Sequence, residues 1–160
     1  MKNLKRIMFF AIAIFTLAMS TSCSSDDSKD DENENPTTDF IKFKYKEKDY
    51  TYESEFSSSE SINISGTEGI DDTYKKVSLW LPSSPTVGTH NVVFDLSNLT
   101  TTYQASFSFM PELNNASATS GTINITKVNA ERIEGTFNFS GTQGDKTFTV
   151  TEGSFSVERF

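Results

Sequence analysis

Few side chains in this sequence could do covalent chemistry, and each stands apart from the partners it would need. His90 is the only histidine, so any serine- or cysteine-based triad would have to be built on it. Its neighbours Gly88, Thr89 and Asn91 mark a turn into a strand, where an imidazole is ordinarily solvated. One histidine and one cysteine, Cys23, leave zinc-type sites without a donor set, and neither a metal nor another cofactor is expected. Two carboxylate pairs, Asp71 with Asp72 and Glu131 with Glu134, could flank a glycosidic bond as acid and base. Both fall at loops or strand ends, where charge faces water, so no catalytic residue is assigned and no enzymatic activity is expected. A hydrolase of extracellular polymers stays as an alternative class.

Trp80 is the one residue whose type suggests recognition. In the segment Lys76–Leu81, Val77, Leu79 and Leu81 share one face of a strand, while Lys76, Ser78 and Trp80 share the other. A tryptophan among polar neighbours suits stacking on a sugar or anchoring a protein partner. Were the strand central and buried on both faces, the same ring would be core. Nucleic acid is disfavoured as a partner: the formal charge is −8, and phosphate binding needs a basic face that the chain lacks.

The segments that must position these residues begin with the first 22. Lys2, Lys5 and Arg6 precede an apolar run, Ile7–Met19, broken only by Thr16 and followed by Ser20, Thr21 and Ser22. These are the three regions of a secretory signal. The thirteen residues of the run fall short of the ~20 that a helix needs to cross a bilayer. Removing Met1–Ser22 would also remove those three basic residues and make the remainder more acidic still. Cys23 sits at the cleavage point, and a lone cysteine has no intrachain disulfide to make. Residues 24–38, SSDDSKDDENENPTT, carry six acidic side chains and nothing aliphatic or aromatic. Such a stretch cannot offset chain entropy by burial, and its like charges extend it. It reads as a disordered tether between residue 23 and a single domain spanning 39–160. An EF-hand-type calcium loop is not present, since the turn glycine and the spaced glutamate are missing.

Leu17–Cys23 resembles the lipobox of bacterial lipoproteins, with Ser20 where leucine is typical and the leucine at position 17. The resemblance implies a thiol carrying diacylglycerol and an acylated amine at Cys23. One acyl chain holds a protein only marginally, so several chains on one residue make a lasting membrane anchor. Ser25, Asp26 and Asp27 resemble the acidic export signal that sends lipoproteins of Bacteroidetes-type bacteria through the outer membrane to face the medium. The closing segments IEGTFNFSG and VTEGSFSV are similar to a recurrent ending of small β-rich lipoproteins from such bacteria. That likeness supports the lipid-anchored reading and carries no substrate with it.

Within 39–160, period-two alternation recurs and no window sustains helical spacing. Ile41, Phe43 and Tyr45 alternate with Lys42, Lys44 and Lys46, and Tyr50 and Tyr52 complete an opening hairpin. Ile62 and Ile64 predict a strand ending at Gly66, Val77–Leu81 one ending before Pro82, and Tyr103–Phe109 the cleanest of all. Val92, Val93 and Phe94 predict a strand of open register, and ELNNASATSG a loop. The last third alternates through Ile123, Ile125, Ile133, Phe137, Phe139, Phe148, Val150, Phe155 and Val157. The phase switches between Val150 and Phe155, so Glu152–Gly153 must form a bulge with Gly153 at positive φ, or else a turn. About nine or ten short strands with polar turns predict an all-β antiparallel sandwich, with a closed lipocalin-like barrel as the alternative. A filled core would suit a binding or structural module, an apolar cavity a carrier of apolar ligands. The expected role is a lipid-anchored, non-enzymatic module with a protein or glycan ligand.

Overall fold

Alternation turns most of the chain into strand in the computed structural model, which describes residues 38–160. Cys23, Ser25, Asp26 and Asp27 lie outside the described residues. The strands are β1 (Phe40–Tyr45), β2 (Lys48–Tyr52), β3 (Ser54–Ser58), β4 (Ser61–Glu68), β5 (Lys75–Pro82), β6 (Gly88–Asn91), β7 (Gln104–Phe109), β8 (Leu113–Val128), β9 (Arg132–Gln143) and β10 (Lys146–Glu158). They form one antiparallel sheet in the order β2-β1-β10-β9-β8-β7-β5-β4-β3, with β6 paired to β8. The two ends of that path, β2 and β3, are consecutive in sequence with only Glu53 between them. A single bent strand thus lies on β1 with its first half and on β4 with its second, and the sheet nearly closes into a barrel.

Side chains bridge the seam where the ladder is incomplete. The Ser54 hydroxyl donates to the Ser156 carbonyl at 3.1 Å, and the Tyr52 hydroxyl donates to Glu68 at 3.4 Å. Burial, with the Glu68 charge beside it, pushes the Tyr52 phenol well above its ordinary value. Lys75 donates to the same carboxylate at 2.9 Å and holds Glu68 below the usual carboxylate range. Closing the sheet leaves little free edge for another strand to pair with.

The interior is filled with rings that meet across the barrel. Phe107 on β7 touches Phe43 and Tyr45 on β1, at centroid distances of 5.8 and 4.8 Å, and Phe148 on β10 at 5.8 Å. The two walls therefore face each other as the layers of a sandwich do, while β8 and the β2–β3 bend run through both and make them one sheet. On β9 and β10, three glycines lie opposite three phenylalanines in register: Gly135 with Phe155, Gly141 with Phe148 and Gly153 with Phe137. Each ring lies so close over its glycine that an added Cβ would collide with it. That packing accounts for the GTFNFSG and TEGSF patterns.

Three local expectations change. First, the segment predicted as a polar loop is the first half of β8, because a bulge at Asn115, with φ of 49°, brings Leu113, Ala116 and Ala118 all inward. Second, Val92–Phe94 is not a strand. Three consecutive apolar residues cannot share one face, so Val92 is buried while Val93 and Phe94 are 38% and 53% exposed on a loop. The polar segment SEFSS, which falls outside the expected strands, forms β3 and closes the sheet. Third, β10 is bulged between Val150 and Gly153 as the phase switch requires, yet positive φ falls on Glu152, at 51°, and not on Gly153. Gly153 is needed for the Phe137 ring instead.

Candidate functional site

β5 places Trp80 by simple alternation. Val77, Leu79 and Leu81 are wholly buried in the core, and Trp80 projects from the outer face of the wall, half-buried. Register sets Trp80 opposite Gln104 on β7, and Ser78 opposite Ser106, which in turn pairs with Ser117 on β8. Small hydroxyl side chains therefore lie beside one large ring, and the step between them leaves room for a cleft.

The chain between β6 and β7 builds the other side of that cleft. Val92 N donates to the Gly121 carbonyl at 2.9 Å and Val93 N to the Tyr103 carbonyl at 3.0 Å, which pins both ends of the loop. Between them runs a short 3₁₀ turn, Leu96–Asn98, with Asp95 as its cap. The Asp95 carboxylate accepts from Ser97 N at 3.1 Å, from Ser97 Oγ at 2.6 Å and from Asn98 Nδ2 at 2.6 Å. Those hydrogen bonds, from Ser97 and then Asn98, hold its pKa below the ordinary value of 3.8. The buried amide of Gln104 clamps the loop from beneath. Its Nε2 donates to the Asp95 carbonyl and, at 2.7 Å, to Thr102 Oγ1, while its Oε1 accepts from Asp95 N at 3.2 Å.

The result is a cleft of about 240 Å³ lined by Trp80, Phe94, Leu96 and Leu99 together with Gln104, Ser106, Asn115 and Ser117. Phe94 is 53% and Leu96 67% exposed. Burying a large apolar side chain contributes about 1.5–3 kcal/mol, a gain that the fold forgoes twice while spending several hydrogen bonds to hold this loop in place. No charged side chain lines the cleft. Its polar groups are hydroxyls and amides, which can donate and accept hydrogen bonds.

The other chemistry-bearing residues lie elsewhere. His90 is on β6, stacked flat on Tyr103 at 3.9 Å with Nε2 2.8 Å from the Thr86 carbonyl, which gives it a structural role at the loop's base. Asp71 and Asp72 are exposed in a 3₁₀ turn, Asp71–Thr73. Glu131 is exposed, while Glu134 is ion-paired with Lys127 at 3.1 Å and lies 3.9 Å from Arg132 Nε. Among the described residues, no three His, Cys, Asp or Glu side chains converge as metal ligands would. A second depression, lined by Tyr45, Lys46, Glu112 and Lys146, has its cations engaged, since Lys46 pairs with Glu112 at 2.6 Å and Lys146 donates to the Glu112 carbonyl.

Trp80 is thus the one sequence-predicted contact residue that lines a cleft. Phe94, Leu96, Gln104 and Asn115 escaped sequence reasoning. A signal for the loop was present: Asp95 followed by Ser97 and Asn98 is capping chemistry.

Residues 42–157 match the model of a family described as a domain of unknown function (DUF6252), and the chain belongs to that family. No curated protein and no solved structure matches it.

Proposed function

We propose that this family member is a lipid-anchored outer-membrane protein that faces the cell exterior and acts as a non-enzymatic binding module. The carrying observation is the uncharged aromatic cleft around Trp80, whose exposed rim is fixed by a hydrogen-bonded loop. Exposed apolar side chains grouped in this way mark interaction sites. The ring-filled interior supports a module over a carrier of apolar ligands, and a cleft lining without carboxylates supports binding over hydrolysis. Acylation of Cys23 would provide the anchor and residues 24–38 the spacer. Ser25, Asp26 and Asp27 would send the domain outward.

Binding is tested on the sole tryptophan, which reports directly from the cleft. The full chain in detergent is titrated with neutral sugars, amino-acid amides and short peptides while Trp80 emission is followed. At least one class should shift it, and the Phe94→Ser/Leu96→Ser double variant should lose that response; a flat trace with every class overturns the binding role. Anchoring is tested by intact mass and membrane fractionation of the wild type against Cys23→Ala, where an unacylated wild type with unchanged fractionation contradicts it. Replacing both Asp26 and Asp27 with alanine should protect the domain from protease added to whole cells. Equal protection in both versions would leave it in the periplasm.

A further inference from the structure

The cleft is small. At about 240 Å³ it falls below the ~300–1,000 Å³ of pockets that enclose a whole ligand, so it holds one ring-sized group of something that continues across the exposed Phe94 and Leu96. We infer that the group is one sugar ring of an uncharged glycan, an assignment that rests on the proposed binding role and narrows it.

Three observations choose this occupant over an apolar peptide side chain or an anionic polymer. The first is charge: the lining has no lysine or arginine to meet an anion and no carboxylate to meet a cation, in a chain of formal charge −8 that repels polyanions at longer range. The second is unspent polar capacity. Asn115 uses its Oδ1 to accept from Ser106 Oγ at 3.2 Å and its main-chain N to donate to Ser108 Oγ at 2.8 Å. Its Nδ2 and the Ser117 hydroxyl have no hydrogen-bond partner among the described residues. An apolar side chain seated here would strand these groups away from water, whereas sugar hydroxyls both donate and accept and would satisfy them. The third is shape. A pyranose has an apolar C–H face and a polar rim, which matches a cleft whose lining combines the Trp80 and Phe94 rings with amide and hydroxyl groups. Gln104, with both ends of its amide engaged, keeps its part of the lining in place before any ligand arrives.

The probe is an array of neutral oligosaccharides, followed by Trp80 emission titrations of the full chain in detergent with any that bind. Polygalacturonate and a leucine-rich uncharged peptide serve as comparators. Neutral glycans should bind and shift the emission. Asn115→Asp, which tolerates positive φ and keeps the acceptor while removing the donor, should weaken them about tenfold, with the denaturation midpoint unchanged. Emission shifted by the peptide or by polygalacturonate while neutral glycans stay silent overturns the glycan assignment and leaves the binding site standing. Silence with every probe overturns both.

Discussion

The β9–β10 hairpin and the outer side of the β5–β7–β8 wall are built from the same alternating chemistry and put it to opposite uses. On β9 and β10 the inward residues are Phe137, Phe139, Phe148, Val150 and Phe155, all buried, while Thr136, Asn138, Thr142 and Thr149 stand in water. Apart from Ser156, which is buried, polar means outside there, and the glycines serve the opposing rings. On β5 and β7 the polar residues Ser78, Gln104, Ser106 and Ser108 are buried as well, while the apolar Phe94 and Leu96 nearby are left in solvent. Where hydrophobic and polar residues exchange their usual places, the fold is no longer the sole constraint, and that is where the cleft lies.

The largest expected effect falls on the hairpin. Gly153→Val forces a branched side chain into the Phe137 ring, and overpacking of this kind destabilises by about 1–3 kcal/mol. Gly144→Val, at a turn with φ of 65° and open space around it, should cost less, about 1 kcal/mol of backbone strain. Chemical denaturation compares the two; equal midpoints would mean that the hairpin does not depend on its glycine–ring contacts.

Next comes the clamp beneath the loop. Gln104→Leu leaves the main-chain N and O of Asp95 without their partner, with an expected loss of about 1–3 kcal/mol together with a red shift of Trp80 emission as the loop loosens. Lost stability with unchanged emission would place Gln104 in the wall alone and sever it from the cleft.

How much of this was legible in the sequence follows the same division. Inward phase at Ile41, Phe43 and Tyr45 and through the last third could be read because one face is wet, so each polar residue reports its side. The bulge near Gly153 could be read because Phe148 and Phe155 must both be inside. The first half of β8 was hidden because its inward residues after Leu113 are alanines and the Asn115 bulge breaks the period. Val92–Phe94 misled because the apolar character of Phe94 belongs to the rim of the cleft and not to the core. Trp80 was legible as a contact residue from its polar flanks, but its partners come from a loop whose course depends on a buried amide 24 residues further along. Near-closure of the barrel rests on the polar segment β3, which carries no alternation of apolar residues to announce it.

A smaller effect should appear with pH. The hydrogen bonds from Ser97 and Asn98 lower the pKa of Asp95, so its cap is fully present above the ordinary value of 3.8 and is lost as pH falls through the lower folded value. Trp80 emission should therefore be flat from neutral pH down to 3.8 and change only below it. A transition well above that value would mean that Asp95 does not hold the loop.

The central claim is that the exposed rim of the cleft is kept for binding and not for folding, and the stability of the Phe94→Ser/Leu96→Ser variant tests it most directly. Measured by chemical denaturation beside Phe139→Ala, which should lose about 3–5 kcal/mol, the rim variant should stay within about 0.5 kcal/mol of the wild type. A fall approaching that of the core variant would show that Phe94 and Leu96 belong to the fold, and would contradict the assignment of the cleft.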